Sequence, residues 1–345
     1  MCHIPILNKK FSLIILHMCE AKLAVITNSF NRRDLLEQAV PSLLTSLARL
    51  PFASVIVIFD AGSTDGSREY VQELIKKSPK GQIHLVTTQP NEANSFADGC
   101  NQAVAQARLL VPLLKWCLFY ETDNQFRNPD ALLGAVTFLE HMPMIGGVGF
   151  TVERFDGKKT GYGCRFPGSL SFAVGQQAAS WLHLDDPSEP LWQQDSAGLS
   201  WSHCDVVYTS PLLIRYQAWS DSGPMDALSF PFTDSDVEWC WRAHQSGWPM
   251  AVLDLPGVVH DNGGSVSKWS GRRVLWFHQS RLRLLRRRFP FRSRILKAML
   301  YFRHTVEILL LLPRSRRSAQ ARQSLHTRFV LMQGLWNDYD KVLRI

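Results

Sequence analysis

The chain has 345 residues, 46% of them apolar and 20% charged, which is enough to bury a large core and excludes a disordered polymer. Its seven scattered cysteines form no C-x-x-C pair, so a zinc ribbon and a disulfide framework are disfavoured and the usage suits a reducing cytoplasm. The net charge of +8 divides unevenly: residues 268–345 hold 19 Lys+Arg against 3 Asp+Glu, and the remainder holds 19 against 27.

Residues 1–20 carry a few basic residues and a short apolar stretch, with no spacer before the first strand. They read as an N-terminal extension rather than a targeting segment, with Met18 as an alternative start. No segment reaches the roughly 18–20 apolar residues that a membrane span needs. Leu23–Thr27 is a short apolar strand that ends in the polar cluster 28–31. From Asp34, apolar residues at Leu35, Leu36, Ala39, Val40, Leu43, Leu44 and Leu47 follow helical spacing. Ser54–Phe59 is apolar almost throughout, as in a strand covered on both faces of a parallel sheet. A helix to about Lys77, a strand at Ile83–Thr87, a helix over roughly Ser95–Arg108 and a strand at Leu113–Tyr120 continue the alternation. Such alternation predicts a doubly wound α/β sheet, whose ligands sit at the carboxyl ends of the strands.

From Phe150 to about His203 the pattern is irregular, with short strands expected and tryptophans such as Trp181, Trp192 and Trp201. These rings either stack on a ligand or belong to the core. Asp205–Arg215 reads as a strand, Asp236–Ser246 as a short helix and Ala251–Leu255 as a strand, with basic helices from Trp269 onward.

Four clusters carry chemistry. Asp60 ends the second strand, where its carboxylate can accept hydrogen bonds from a ribose hydroxyl or a pyrimidine N–H. The run Asp60–Ser67 also reads as a turn with a helix cap. Glu121 and Asp123 follow the fourth strand and can turn toward one hard cation, Mn²⁺ or Mg²⁺, whose shell diphosphate oxygens complete; a solvated loop is the alternative. Asp234, Asp236 and Glu238 alternate into a helix, with Asp236 the candidate general base and acidic capping of the helix the competing reading. His260 precedes Asp261-Asn262-Gly263-Gly264-Ser265, a loop able to fold over phosphates, and its imidazole can complete a metal site.

In their order along the chain, LAVITNSFNRR, SVIVIFDAGSTDGS, FYETDNQF, SDVEWCWRAHQSGW and GVVHDNGGS resemble glycosyltransferase family 2. The nearest branch is the one with rhamnosyl- and galactofuranosyl-transferases, and the resemblance covers roughly Leu23 to Lys268. It implies a GT-A fold, an α/β sheet that is mostly parallel with helices on both faces, plus a basic helical C-terminal appendage. It implies a catalytic domain over 21–267, with a nucleotide-binding half 21–125 and an acceptor half 126–267, followed by a helical region 268–345. The activity implied is transfer of a sugar from a UDP- or dTDP-linked donor to a saccharide or lipid-linked saccharide hydroxyl, with inversion, in cell-surface polysaccharide or glycolipid synthesis. Thr27, Asn31 and Asp60 then bind the nucleoside; Glu121, Asp123 and His260 bind the metal; Asp236 is the base; Asp234 and Glu238 face the acceptor. Two departures stand out: Ser235 replaces the usual Glu before the base, and Glu121 replaces the usual first Asp.

The tail interleaves Arg281, Arg283, Arg286, Arg287, Arg288, Arg292 and Arg294 with leucines and phenylalanines. A helix of this kind can lie on an anionic leaflet, which predicts a protein peripheral on the inner face of the plasma membrane, or it can pack on the acidic body. Nucleic acid is a weaker partner, because no zinc or RNA-binding signature accompanies the tail. Two other functions compete. A nucleotidyltransferase would place a glycine-rich loop after the first strand, where this chain has Asn28-Ser29-Phe30-Asn31-Arg32; an inactive docking module would have lost Asp123 or Asp236.

Overall fold

The computed structural model describes residues 21–88, 95–161, 163–184, 190–260 and 271–336. The expected extension 1–20 and the glycine loop 261–265 lie outside the described residues. The first half alternates strands and helices: β1 (Ala21–Ser29), α1 (Arg33–Leu47), β2 (Ala53–Asp60), α2 (Ser67–Lys77), β3 (Ile83–Thr87), α3 (Phe96–Leu110) and β4 (Trp116–Phe119). Period-two alternation sends Leu23, Val25, Ile56 and Ile58 to one face of the sheet, against Leu36, Val40 and Leu43 of α1. Ala24, Ile26, Val55 and Val57 point to the other face, against Ala103, Val104 and Ala107 of α3. Because both faces are dry, these strands are apolar nearly end to end.

The second half adds β5 (Asn124–Phe126), α4 (Ala131–His141), β6 (Gly147–Phe150), β7 (Val152–Glu153), β8 (Lys159–Gly161), the short helices α5 (Ser169–Val174) and α6 (Gln176–Trp181), β9 (Gln193–Gln194) and β10 (Ser200–Cys204). Next come β11 (Leu212–Arg215), α7 (Tyr216–Ser222), α8 (Ser235–Gln245), β12 (Met250–Leu253) and β13 (Val258–His260). The main sheet has nine strands in the order β3-β2-β1-β4-β11-β6-β12-β10-β9, and a second sheet has the order β5-β13-β7-β8. Strands β3, β2, β1 and β4 are parallel, as are β6 and β12, while β11 runs antiparallel between β4 and β6.

The strand expected over 205–215 is shorter, beginning only at Leu212. Pro211 has no N–H for a ladder, and Val206 instead makes an isolated bridge to Cys164. Helix α4 is an element that periodicity does not reveal: ALLGAVTFLEH is apolar nearly all round, so its face toward the sheet does not stand out.

The C-terminal helices are α9 (Gly271–Arg288), α10 (Ser293–Ser315) and α11 (Ala319–Trp336). Leu282, Leu285, Leu296, Leu300 and Leu335 form a small core of their own with Ala173 of α5. Leu284 of α9 reaches into the main core, so the appendage and the body share apolar packing.

Close approach at the middle of the sheet demands glycine. A Cβ on Gly149 of β6 would lie 2.2 Å from Val207 Cγ1. Gly149→Ala is therefore expected to lower the unfolding free energy by about 1–3 kcal/mol through overpacking, measured by urea denaturation.

Candidate active site

The carboxyl ends of β1, β2 and β4 lie side by side, because these strands are parallel neighbours, with Ser29 paired to Asp60 and Ile26 to Phe119. Asp60 is buried at the end of β2, and its Oδ2 accepts from the Ser63 N–H at 3.0 Å. Its Oδ1 is buried without a hydrogen-bond partner, which leaves one acceptor facing the site. Thr27 is buried on β1 beside it. Asn31 adopts a left-handed φ of 52°. Its backbone N–H donates to Ser63 Oγ at 2.9 Å, and its side-chain Oδ1 accepts from the Thr64 N–H at 2.8 Å. Asn31 therefore fixes the loop after Asp60, a loop that Gly66 closes with a φ of 87°.

The turn after β4 is pinned from below. Tyr120 donates from Oη to the Asn124 carbonyl at 2.9 Å, and the Asn124 N–H donates to the Glu121 carbonyl at 3.1 Å. Burial pushes the Tyr120 phenol well up, so it stays a neutral donor. Asn124 starts β5, and the antiparallel β5–β13 register sets His260 directly opposite it. The imidazole Nδ1 thereby lies 3.2 Å from Asp123 Oδ1 and 3.1 Å from Asn124 Oδ1.

Strand β11 brings in a residue that sequence patterns do not mark. Its Leu212 pairs with Phe119, so the residues just before it lie at the carboxyl end of β4. There Thr209 donates from Oγ1 to Glu121 Oε1 at 2.7 Å and from its N–H to Asp236 Oδ2 at 3.3 Å. One threonine thus bridges the acidic turn and the first turn of α8. Burial, then Asp234 and then Glu121, push the Asp236 carboxyl up to about 7. The Glu121 carboxyl is also raised, by burial first and by Asp123 next.

Asp60, Glu121, Asp123, Asp236 and His260 all lie in this region at the strand ends. Among the described residues no three His, Cys, Asp or Glu side chains converge as a ready-made metal cage. Asp123 and His260 form a pair, while Glu121 is engaged by Thr209.

Residues 24–186 match the family model of glycosyl transferase family 2. That stretch is a glycosyltransferase family 2 domain. The chain is a glycosyltransferase with the GT-A fold. No curated protein gives a significant match. Among solved structures, S. aureus TarS 1-349 in complex with UDP has a TM-score of 0.50 at 14% identity, covering 82% of this chain and 70% of that one. GalNAc-T7 with UDP, GalNAc and Mn²⁺ has a TM-score of 0.51 at 13% identity, covering 77% of this chain and 48% of that one. At such identities the likeness is one of fold.

In the transferase, Asp234 and Glu238 are placed differently from the sequence expectation. Asp234, in a left-handed conformation before α8, is held by Arg281 of α9 through bonds of 2.8 and 2.9 Å. Glu238 is fully buried, its carboxylate bonded to Arg242 Nε at 2.9 Å and to Arg287 Nη1 at 2.9 Å. Arg287 also reaches Asp226 at 2.6 Å, and Arg288 donates to the Pro167 carbonyl at 3.0 Å. These acids anchor α9. The sequence shows Arg281 and Arg287 only as members of a basic run; their partners, 47 and 49 residues upstream, emerge from packing.

Arg281→Met would leave the Asp234 charge buried and unpaired. An expected loss of about 3–5 kcal/mol follows, and the double variant with Asp234→Asn should recover much of it in urea denaturation.

Proposed function

We propose that the transferase moves a sugar, with inversion, from a UDP- or dTDP-linked donor to a hydroxyl of a saccharide or lipid-linked saccharide at a membrane surface. The supporting observation is the Thr209 bridge, which sets a buried carboxylate with a pKa of about 7, Asp236, beside the acidic turn that carries Asp123. A group poised near neutrality can take a proton from a hydroxyl in the transition state. In this reading Asp60 and Thr27 receive the nucleoside, and Asn31 shapes the loop beneath it. The acceptor oxygen attacks the anomeric carbon, its proton passes to Asp236, and the bond from that carbon to the diphosphate oxygen breaks. Electrons leave with the nucleoside diphosphate, so the balance needs no further reactant.

Asp123 and His260 are the residues suited to hold Mn²⁺ or Mg²⁺, because their side chains meet at 3.2 Å beside the strand ends. A divalent ion bound there supplies positive charge against the departing diphosphate. Glu121 is assigned to the bridge rather than to the metal, since the Thr209 hydroxyl already occupies it. Synthesis of a cell-surface polysaccharide or glycolipid is the setting in which a lipid-linked acceptor would be met, at the inner face of the plasma membrane.

Calorimetry with UDP and dTDP, with and without Mn²⁺, tests the donor site. Binding should require the ion and be lost in Asp123→Asn, and the better nucleotide identifies the donor base. Metal-independent binding in the wild type, or unchanged binding in the variant, would overturn the assignment.

The base is tested by rate. Asp236→Asn is expected to lower kcat by about 10²–10⁴-fold with nucleotide affinity retained. A carboxyl raised to about 7 is protonated below that pH and ionised above it. The kcat/KM profile should therefore fall about tenfold per pH unit below neutrality and level off above it. Glu121→Gln removes a neighbouring negative charge, so the same limb should move to lower pH.

A further inference from the structure

Helix α10 has its polarity reversed relative to an ordinary surface helix. Its central ionic side chains turn toward the protein. Arg303 bonds to Glu307 at 3.0 Å and to the Phe172 carbonyl at 3.1 Å, His304 is fully buried against Glu307, and Arg328 of α11 meets Glu307 at 2.6 Å. Outward, Ile295, Phe302 and Leu309 recur at seven-residue steps, with Val306 and Leu310 beside them. Phe302 is 74% exposed and Leu309 62%, while Phe291, just ahead of the helix, is 97% exposed. Residues at such spacing share one side of a helix, so the stripe runs along most of its length. At its far end Arg314, Arg316 and Arg317 are exposed.

We propose that the outer face of α10 is the surface by which the enzyme lies on an anionic lipid leaflet, with Phe302 and Leu309 entering the acyl boundary and Arg314, Arg316 and Arg317 meeting the headgroups. The inference rests on the reading of the chain as a transferase working at a membrane surface, and it moves the contact away from the arginines of α9. Those of them that bond to Asp234, Glu238 and Asp226 are internal counter-ions.

An apolar stripe bordered by cations matches a leaflet in two ways: the hydrocarbon takes the side chains and the phosphates take the charge. A second copy of the same face would bring no acid to those arginines, because the acid of this helix, Glu307, is already bound by Arg303, His304 and Arg328. A nucleic acid would leave the stripe wet. No helix among the described residues is long and apolar enough to cross a membrane, so the contact is one of lying on the surface.

The test is flotation of the full chain with phosphatidylcholine vesicles, with and without phosphatidylglycerol, in parallel with UDP binding in solution. The wild type should float with the anionic vesicles and only weakly with the neutral ones. The double variant Phe302→Glu, Leu309→Glu should lose at least about tenfold in vesicle affinity, and Arg314→Glu, Arg316→Glu, Arg317→Glu should lose the preference for phosphatidylglycerol. Both variants alter exposed side chains, and unchanged UDP binding would show that they are folded. Failure of the wild type to float, or flotation of the double variant equal to wild type, would overturn the surface. So would a wild-type dimer that the double variant converts to monomer without any vesicle binding. If vesicle binding behaves as expected while UDP fails to bind, the donor reading falls and the docking surface stands.

Discussion

Several carboxylates brought into one half-buried region repel each other and resist losing water, and the site depends on how that penalty is managed. Glu121 and Asp236 share a single neutral donor, Thr209, which supplies hydrogen bonds without neutralising either charge. Asp234, two residues before Asp236, is instead matched by a full positive charge from Arg281. Asp123 has a histidine at 3.2 Å. The three treatments differ in kind: a shared neutral donor, a full counter-charge and a titratable imidazole. Had all four acids met arginines, Asp236 would have been held ionised at low pH.

The C-terminal helices belong to this management. Arg281 and Arg287 enter from α9 and end on residues flanking Asp236 in the chain. Removing the appendage would expose buried acids as well as apolar surface. Its positive charge is thus two populations: some arginines neutralise the body from within, and others at the end of α10 face solvent. A count of basic residues cannot separate them, since both contribute equally to composition.

Much of the frame was legible because a strand buried on both faces leaves an uninterrupted apolar run, as in Ser54–Phe59, and polar residues return where the strand ends. Hence Asp60, Glu121 and Asp123 could be located at strand ends from sequence. Other parts were hidden for physical reasons. The run from Val206 to Ile214 has strand-like composition, yet Pro211 interrupts it and frees Thr209 to cross the site. Helix α4 is buried so thoroughly that amphipathic spacing disappears. Thr209 and Arg281 have no local signature, because their partners are chosen by the antiparallel β11 and by packing of α9. Asp234 and Glu238 were read as acids facing an acceptor, and the arginines of α9 that meet them have no local signature either.

Strand β11 has a further consequence, for the order in which the chain can assemble. It sits between β4 and β6, although it follows both in sequence. During synthesis β1, β2, β3 and β4 can form a parallel block, but β4 then presents an unpaired, fully apolar edge until residues 212–215 have emerged. The same strand covers one edge of β6 and brings Thr209 beside Glu121. A nascent chain that stops short of β11 therefore carries an adhesive sheet edge, and docking of β11 covers it while placing Thr209 where Asp236 can later meet it.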